Sequence, residues 1–93
     1  MTENELKTAV VALARRCGWA VYHVTQARHP NGGGRGYPDL TLCRDTEHLW
    51  LELKQEKTQP TAEQLAWGVA IGYQWHLVRP SDWESGRIAE LLR

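Results

Sequence analysis

The chain has 93 residues, with 11 Lys+Arg against 11 Asp+Glu, five Trp, three Tyr and no Phe. A chain this short buries only about 60% of its unfolded surface, enough for one small domain, and it has no apolar run near the ~20 residues of a bilayer span. Its two cysteines, Cys17 and Cys43, lack a CxxC spacing, so a membrane-spanning helix, a disulfide-stapled miniprotein and a uniformly basic nucleic-acid coat are all excluded.

The first element reads as a helix. Leu6, Val10, Leu13 and Cys17 recur at helical spacing, with Gly18 placed to end it. Thr2 followed by Glu5 is a capping-box pattern. Extended backward, the apolar stripe lands on Glu3, so Glu3 faces inward while Glu5 serves the cap. Residues 19–25 (WAVYHVT) are β-branched and aromatic, a strand. Pro30 and the glycines at 32, 33, 34 and 36 then stop any regular element, in a segment that carries Arg28, His29 and Arg35 and no acid.

Residues 38–43 and 48–54 alternate with period two and read as strands joined by the loop 44–47. Residues 55–60 are polar and loop-like. Thr61-Ala62-Glu63-Gln64 is a second capping box, opening a helix that runs through about Ile71 and stops at Gly72. Residues 74–79 form a last strand. A terminal helix starts at Pro80 and carries Ile88, Leu91 and Leu92. The order is αβββαβα, without repeats or an interdomain linker.

Placement of charge says more than its total. Residues 38–56 hold Asp39, Asp45, Glu47, Glu52 and Glu56 against Arg44 and Lys54, beside the basic glycine loop. Such an asymmetry suits a site for metal and phosphate, and equally a solvated surface. A four-residue loop at 44–47 pairs Cys43 with His48, Leu42 with Leu49, Leu40 with Leu51, and Asp39 with Glu52. Opposed like charges are destabilising. Lys54 lies two residues beyond Glu52, on the same face. A divalent cation between Asp39 and Glu52 turns that repulsion into coordination, with Lys54 set to orient a water and offset phosphate charge. The plainer reading is a surface hairpin in which Lys54 and Arg44 offset the acids.

Gly36-Tyr37-Pro38-Asp39-Leu40, Leu51-Glu52-Leu53-Lys54 and Thr61-Ala62-Glu63-Gln64, in this order, resemble the VRR-NUC family of the PD-(D/E)XK nuclease superfamily. The Glu-containing first helix, followed by Gly18-Trp19 and Tyr22-His23, is similar as well. The likeness covers nearly the whole chain and suits the stand-alone phage or bacterial members. It implies a single restriction-endonuclease-like α/β domain, αβββαβ(α), with a mixed sheet flanked by helices. It also implies a metal-dependent DNA endonuclease, with branched or junction DNA as the candidate substrate. By the same analogy Asp39, Glu52 and the backbone carbonyl of Leu53 ligate Mg²⁺ or Mn²⁺. Lys54 then positions the attacking water, and Gln64 and Glu3 complete the site. A homodimer follows from the resemblance, as does a cytoplasmic location in a bacterium or a phage-infected cell, to which the want of a basic-then-apolar leader also points.

Each supporting residue has a duller account. Gln64 at the third helical position serves as a cap. The family glutamate corresponds to Glu3 or to Glu5. His23 reads as a half-buried strand histidine, since hard cations prefer oxygen, and neither His29 nor His48 has ligand spacing. Trp50, on the Glu52 face, walls the site, stacks on a base or belongs to the core. Arg28, His29 and Arg35 are the candidate DNA contacts, on a loop that is basic where the rest is not. Without GxxxxGK[ST] or GxGxxG, a nucleotide cofactor is disfavoured. Five Trp exceed what so small a core absorbs, and Trp67, Trp75 and Trp83 mark a self-association patch. Two other readings remain: a catalytically inactive nucleic-acid-binding module of the same fold, and a structural domain whose hairpin acids face a protein.

Overall fold

Leucines alternate with polar residues along two successive strands, and the computed structural model, which describes residues 1–23 and 34–93, puts those strands at the centre of a mixed sheet. Helix α1 spans Glu3–Arg16, followed by β1 (Ala20–His23), β2 (Leu40–Arg44), β3 (Glu47–Leu53), α2 (Ala62–Ile71), β4 (Trp75–Val78), α3 (Pro80–Glu84) and α4 (Arg87–Leu92). The four strands lie side by side in chain order. β1, β2 and β3 are antiparallel neighbours, and β4 joins β3 in parallel through the α2 crossover. The result is a small α/β domain with helices flanking a four-stranded mixed sheet.

One face of the sheet carries the core. Leu40, Leu42, Leu51, Leu53 and Val78 are sealed against Leu6, Val10 and Ala14 of α1 and against Ile88 and Leu92 of α4. Each buried Leu contributes roughly 1.5–3 kcal/mol. At the far end, the Trp19 indole N–H donates to the Leu92 carbonyl at 2.9 Å. The Arg44 guanidinium lies 4.2 Å over the Trp19 ring and donates to Cys17, Leu92 and Arg93 carbonyls. Across the sheet, Arg79 donates to the carbonyls of Gln55, Glu56 and Thr58, holding the β3–α2 connection.

The hairpin register is the expected one: Leu40 pairs with Leu51, Leu42 with Leu49 and Cys43 with His48. Pairing continues to Arg44 and Glu47, so the connection is a two-residue turn, Asp45-Thr46, with Asp45 at φ 55°. On α1 the stripe drifts at 3.6 residues per turn. Ala14 therefore takes the buried position, while Leu13 and Cys17 flank the core. Both cysteines are free thiols and only partly buried. The expected terminal helix is two short helices, broken at Ser85-Gly86, where Gly86 has φ 85°. Residues 24 and 25 of the expected first strand lie outside the described residues.

Of the tryptophans expected to mark a self-association patch, none is fully exposed. Trp19 is buried and Trp50, Trp67, Trp75 and Trp83 are half-buried, each with a neighbour that accommodates it. Trp67 packs edge-on against Tyr37, Trp83 lies against the core, and Trp75 lies beneath Gly68 of α2. A Cβ on Gly68 would stand 2.8 Å from the Trp75 ring. In an open helix Gly→Ala stabilises by about 1 kcal/mol, whereas overpacking costs about 1–3 kcal/mol. Gly68→Ala is expected to lower the unfolding free energy by about 1 kcal/mol, checked by urea denaturation. A gain of stability would show that α2 does not rest on Trp75.

Candidate active site

Asp39 occupies the bend leading into β2, and Glu52 is the penultimate residue of β3. The Leu40–Leu51 pair sets Asp39 opposite Glu52 on the face away from the leucine core. The Leu53 backbone N–H donates to Asp39 Oδ2 at 2.8 Å, fixing that carboxylate beside β3. Glu52 is 1% exposed, the one fully buried charged side chain among the described residues.

Burial pushes the Glu52 carboxyl up to about 9, helped by the Asp39 charge, by a hydrogen bond to the Asp39 carboxyl and by the Glu3 charge. The Lys54 ammonium pulls the other way. Near neutral pH the metal-free pair thus holds a proton. No donor among the described residues reaches Glu52 Oε1, while Oε2 accepts from the Gln64 side-chain N–H at 3.1 Å.

Gln64 is the helix cap that the sequence offered, and its side chain also reaches Glu52. Its Oε1 accepts from the Thr61 backbone N–H at 2.8 Å, and its own N–H donates to Thr61 Oγ1, closing the capping box. Its amide nitrogen is then left to hold Glu52. One side chain ties the start of α2 to the buried carboxyl.

Gly36 and Tyr37 set where α2 begins, a role the sequence did not reveal. Gly36 has φ 82°, and a Cβ there would lie 2.6 Å from the Glu63 backbone. Tyr37 hydroxyl pairs with Thr41 Oγ1 at 2.8 Å and accepts from the Trp50 indole N–H at 2.9 Å. The Trp67 indole N–H donates to the Arg35 carbonyl at 3.0 Å. The signal was present in Gly36-Tyr37-Pro38-Asp39, where glycine and an aromatic immediately precede the acid. Trp50 is thereby half-buried and hydrogen-bonded beside Glu52, and stacks on exposed His48.

At the first helix, Glu5 makes both bonds of the capping box with Thr2, at 2.7 and 3.0 Å, and its carboxyl is held below the usual range by them. Glu3, although exposed, is the glutamate whose charge reaches Glu52. Lys54 is half-buried one residue past β3. Arg35 is exposed and lies 3.8 Å from Glu63 on α2. Arg28 and His29 lie outside the described residues.

No family model matches the chain, and neither a curated protein nor a solved structure matches it. The functional reading therefore rests on these residues and their geometry. Asp39 and Glu52 each have one oxygen fixed by a protein donor, and Glu52 Oε1 is buried without one. That donor set fits a hard divalent cation, which takes oxygen ligands. Among the described residues no three His, Cys, Asp or Glu side chains gather closely enough to hold an ion. Backbone and water oxygens would complete the coordination.

The raised Glu52 value fixes the sign of a pH dependence. Between the ordinary carboxylate value of 4.5 and about 9, the folded metal-free protein binds the extra proton. Its stability is therefore greatest at low pH in this window and falls as pH rises, by at most about 1.4 kcal/mol per pH unit. Glu52→Gln should flatten the profile, as read by thermal melts in EDTA. A wild-type profile that is already flat would mean Glu52 is ionised.

Proposed function

We propose that this chain is a metal-dependent DNA endonuclease with a restriction-endonuclease-like core. The observation that carries the reading is the buried, proton-holding Glu52 opposed to Asp39, with one Glu52 oxygen held by Gln64 and no donor among the described residues reaching the other. The element order, the mixed sheet and the motifs that resemble VRR-NUC support it. Branched or junction DNA is the proposed substrate. An idle binding module has no need to keep an acid buried against another acid.

On this reading Asp39, Glu52 and the Leu53 carbonyl hold Mg²⁺ or Mn²⁺. A bound cation supplies a Lewis acid and allows attack by water near neutral pH. Asp39 and Glu52 are positioned for this by the Leu53 N–H and the Gln64 amide, so little reorganisation remains. Lys54, next along the Glu52 face, orients the attacking water and offsets charge developing on the phosphate. Glu3 adds negative field at the same place and accepts from waters there. In-line placement of water and leaving oxygen is the remaining share of the rate.

The test is cleavage of labelled linear, flap and four-way-junction DNA in Mg²⁺, Mn²⁺ or EDTA, with Asp39→Asn as control. Lys54→Ala should lose on the order of 100-fold or more in rate while metal affinity stays near wild type. Glu52→Gln should lose both. Cleavage by Lys54→Ala at the wild-type rate removes Lys54 from the water-orienting role. A folded protein that binds DNA yet forms no product is the inactive module.

A homodimer is part of the proposal, and its support is α2. Leu65 and Val69, one helical turn apart on α2, are 48% and 84% exposed, and Tyr73, just beyond the end of the helix, is 88% exposed, so three large apolar side chains face solvent here. Sedimentation at tens of micromolar should give a dimer for wild type and a monomer for Val69→Glu. A purely monomeric wild type ends the dimer proposal.

A further inference from the structure

Between α1 and β1 lies a groove of about 350 Å³ that the site described above does not use. Asn4, Lys7, Thr8, Arg15 and His23 supply its polar lining, and among the described residues no acidic side chain lines it. Arg35, Arg44, Arg87 and Arg93 each have a carboxylate partner, but Lys7 and Arg15 form no ion pair among the described residues. His23 Nδ1 is buried without a hydrogen-bond partner among the described residues. β1 is the edge strand of the described sheet.

Glu3, whose charge reaches Glu52, stands one helical turn before Lys7, and Arg15 is two turns further along α1. Eight residues of helix advance about 12 Å. Lys7 and Arg15 stand toward the two ends of a concave track, with Asn4 and Thr8 beside Lys7 and Val11 and Ala12 between the cations, an arrangement that suits the phosphates of one strand.

We infer that this groove binds the phosphate backbone of the nucleic-acid strand leading away from the Asp39–Glu52 site, with Lys7, Arg15 and His23 as its contacts. The inference rests on the nuclease reading for the identity of the strand. Its anion chemistry stands without it.

The experiment measures anisotropy of a fluorescein-labelled duplex in EDTA, titrated with protein between about 50 and 200 mM salt. The Lys7→Ala/Arg15→Ala double variant should bind more weakly, with a log–log salt slope shallower by about 2. An Arg87→Ala/Arg93→Ala variant removes the same charge elsewhere and should keep the wild-type slope. Far-UV circular dichroism confirms that the exposed substitutions leave the fold intact. An unchanged slope in the Lys7/Arg15 variant overturns the groove, even where wild type cleaves DNA with Mg²⁺ and the nuclease reading survives. A shallower slope in a protein that never cleaves leaves the groove standing and ends the nuclease reading. Equal losses in both double variants reduce the effect to net charge and overturn the groove.

Discussion

A carboxyl sealed from water beside a second carboxyl is unfavourable unless something answers its charge, and Glu52 is in that position. Three things must coincide to hold it there. The hairpin register must set Asp39 across from it, the Leu53 N–H must fix Asp39, and α2 must start where Gln64 can reach. The last condition depends on Gly36, since any side chain there meets the Glu63 backbone. Three short segments distant in the chain are thus bound to one acidic group.

The two faces of the sheet are built on different physics. On the α1 and α4 face, leucines exclude water and stability comes from buried apolar area. On the other face, α2 buries only Gly68 fully and is located by directed contacts: Gln64 to Glu52, Trp67 to Arg35, Tyr37 against Trp67. Directed contacts fix position more sharply than they add stability. This division suits a site, because the apolar core absorbs the cost of keeping an acid buried on the opposite face.

How far the sequence revealed this differs from residue to residue. The β2–β3 register was legible because leucine alternation and a short turn leave few alternatives, and a slip of one residue would turn the leucines out of the core. From that register the Asp39–Glu52 pair followed directly. Gln64 was legible only as an alternative, cap or site, because a sequence does not show that an amide oxygen and an amide nitrogen serve different partners. The tryptophans misled because counting them measures volume, and their burial depends on which small residue stands opposite, as Gly68 does for Trp75. Arg44 and Arg79 anchor carbonyls far away in the chain, and no local pattern announces such bonds. The break at Gly86 was visible as a glycine after serine, but the apolar spacing through Leu92 favoured one continuous helix.

Neutral net charge looks unsuited to the proposed work on a polyanion, yet field is local where charges are segregated. The acids of the site concentrate around Asp39 and Glu52, while several arginines are neutralised by neighbouring carboxylates. A phosphate approaching an ionised acid pair is repelled, and the proton held by Glu52 halves that repulsion in the metal-free protein. A hard divalent cation requires both carboxylates ionised, so on the proposed reading cation entry and proton release are a single exchange at one buried oxygen. The same desolvation that raises the Glu52 carboxyl makes a monovalent ion a poor substitute, because only a doubly charged partner offsets both acids. The burial of Glu52 is therefore what would make the proposed site selective for divalent cations.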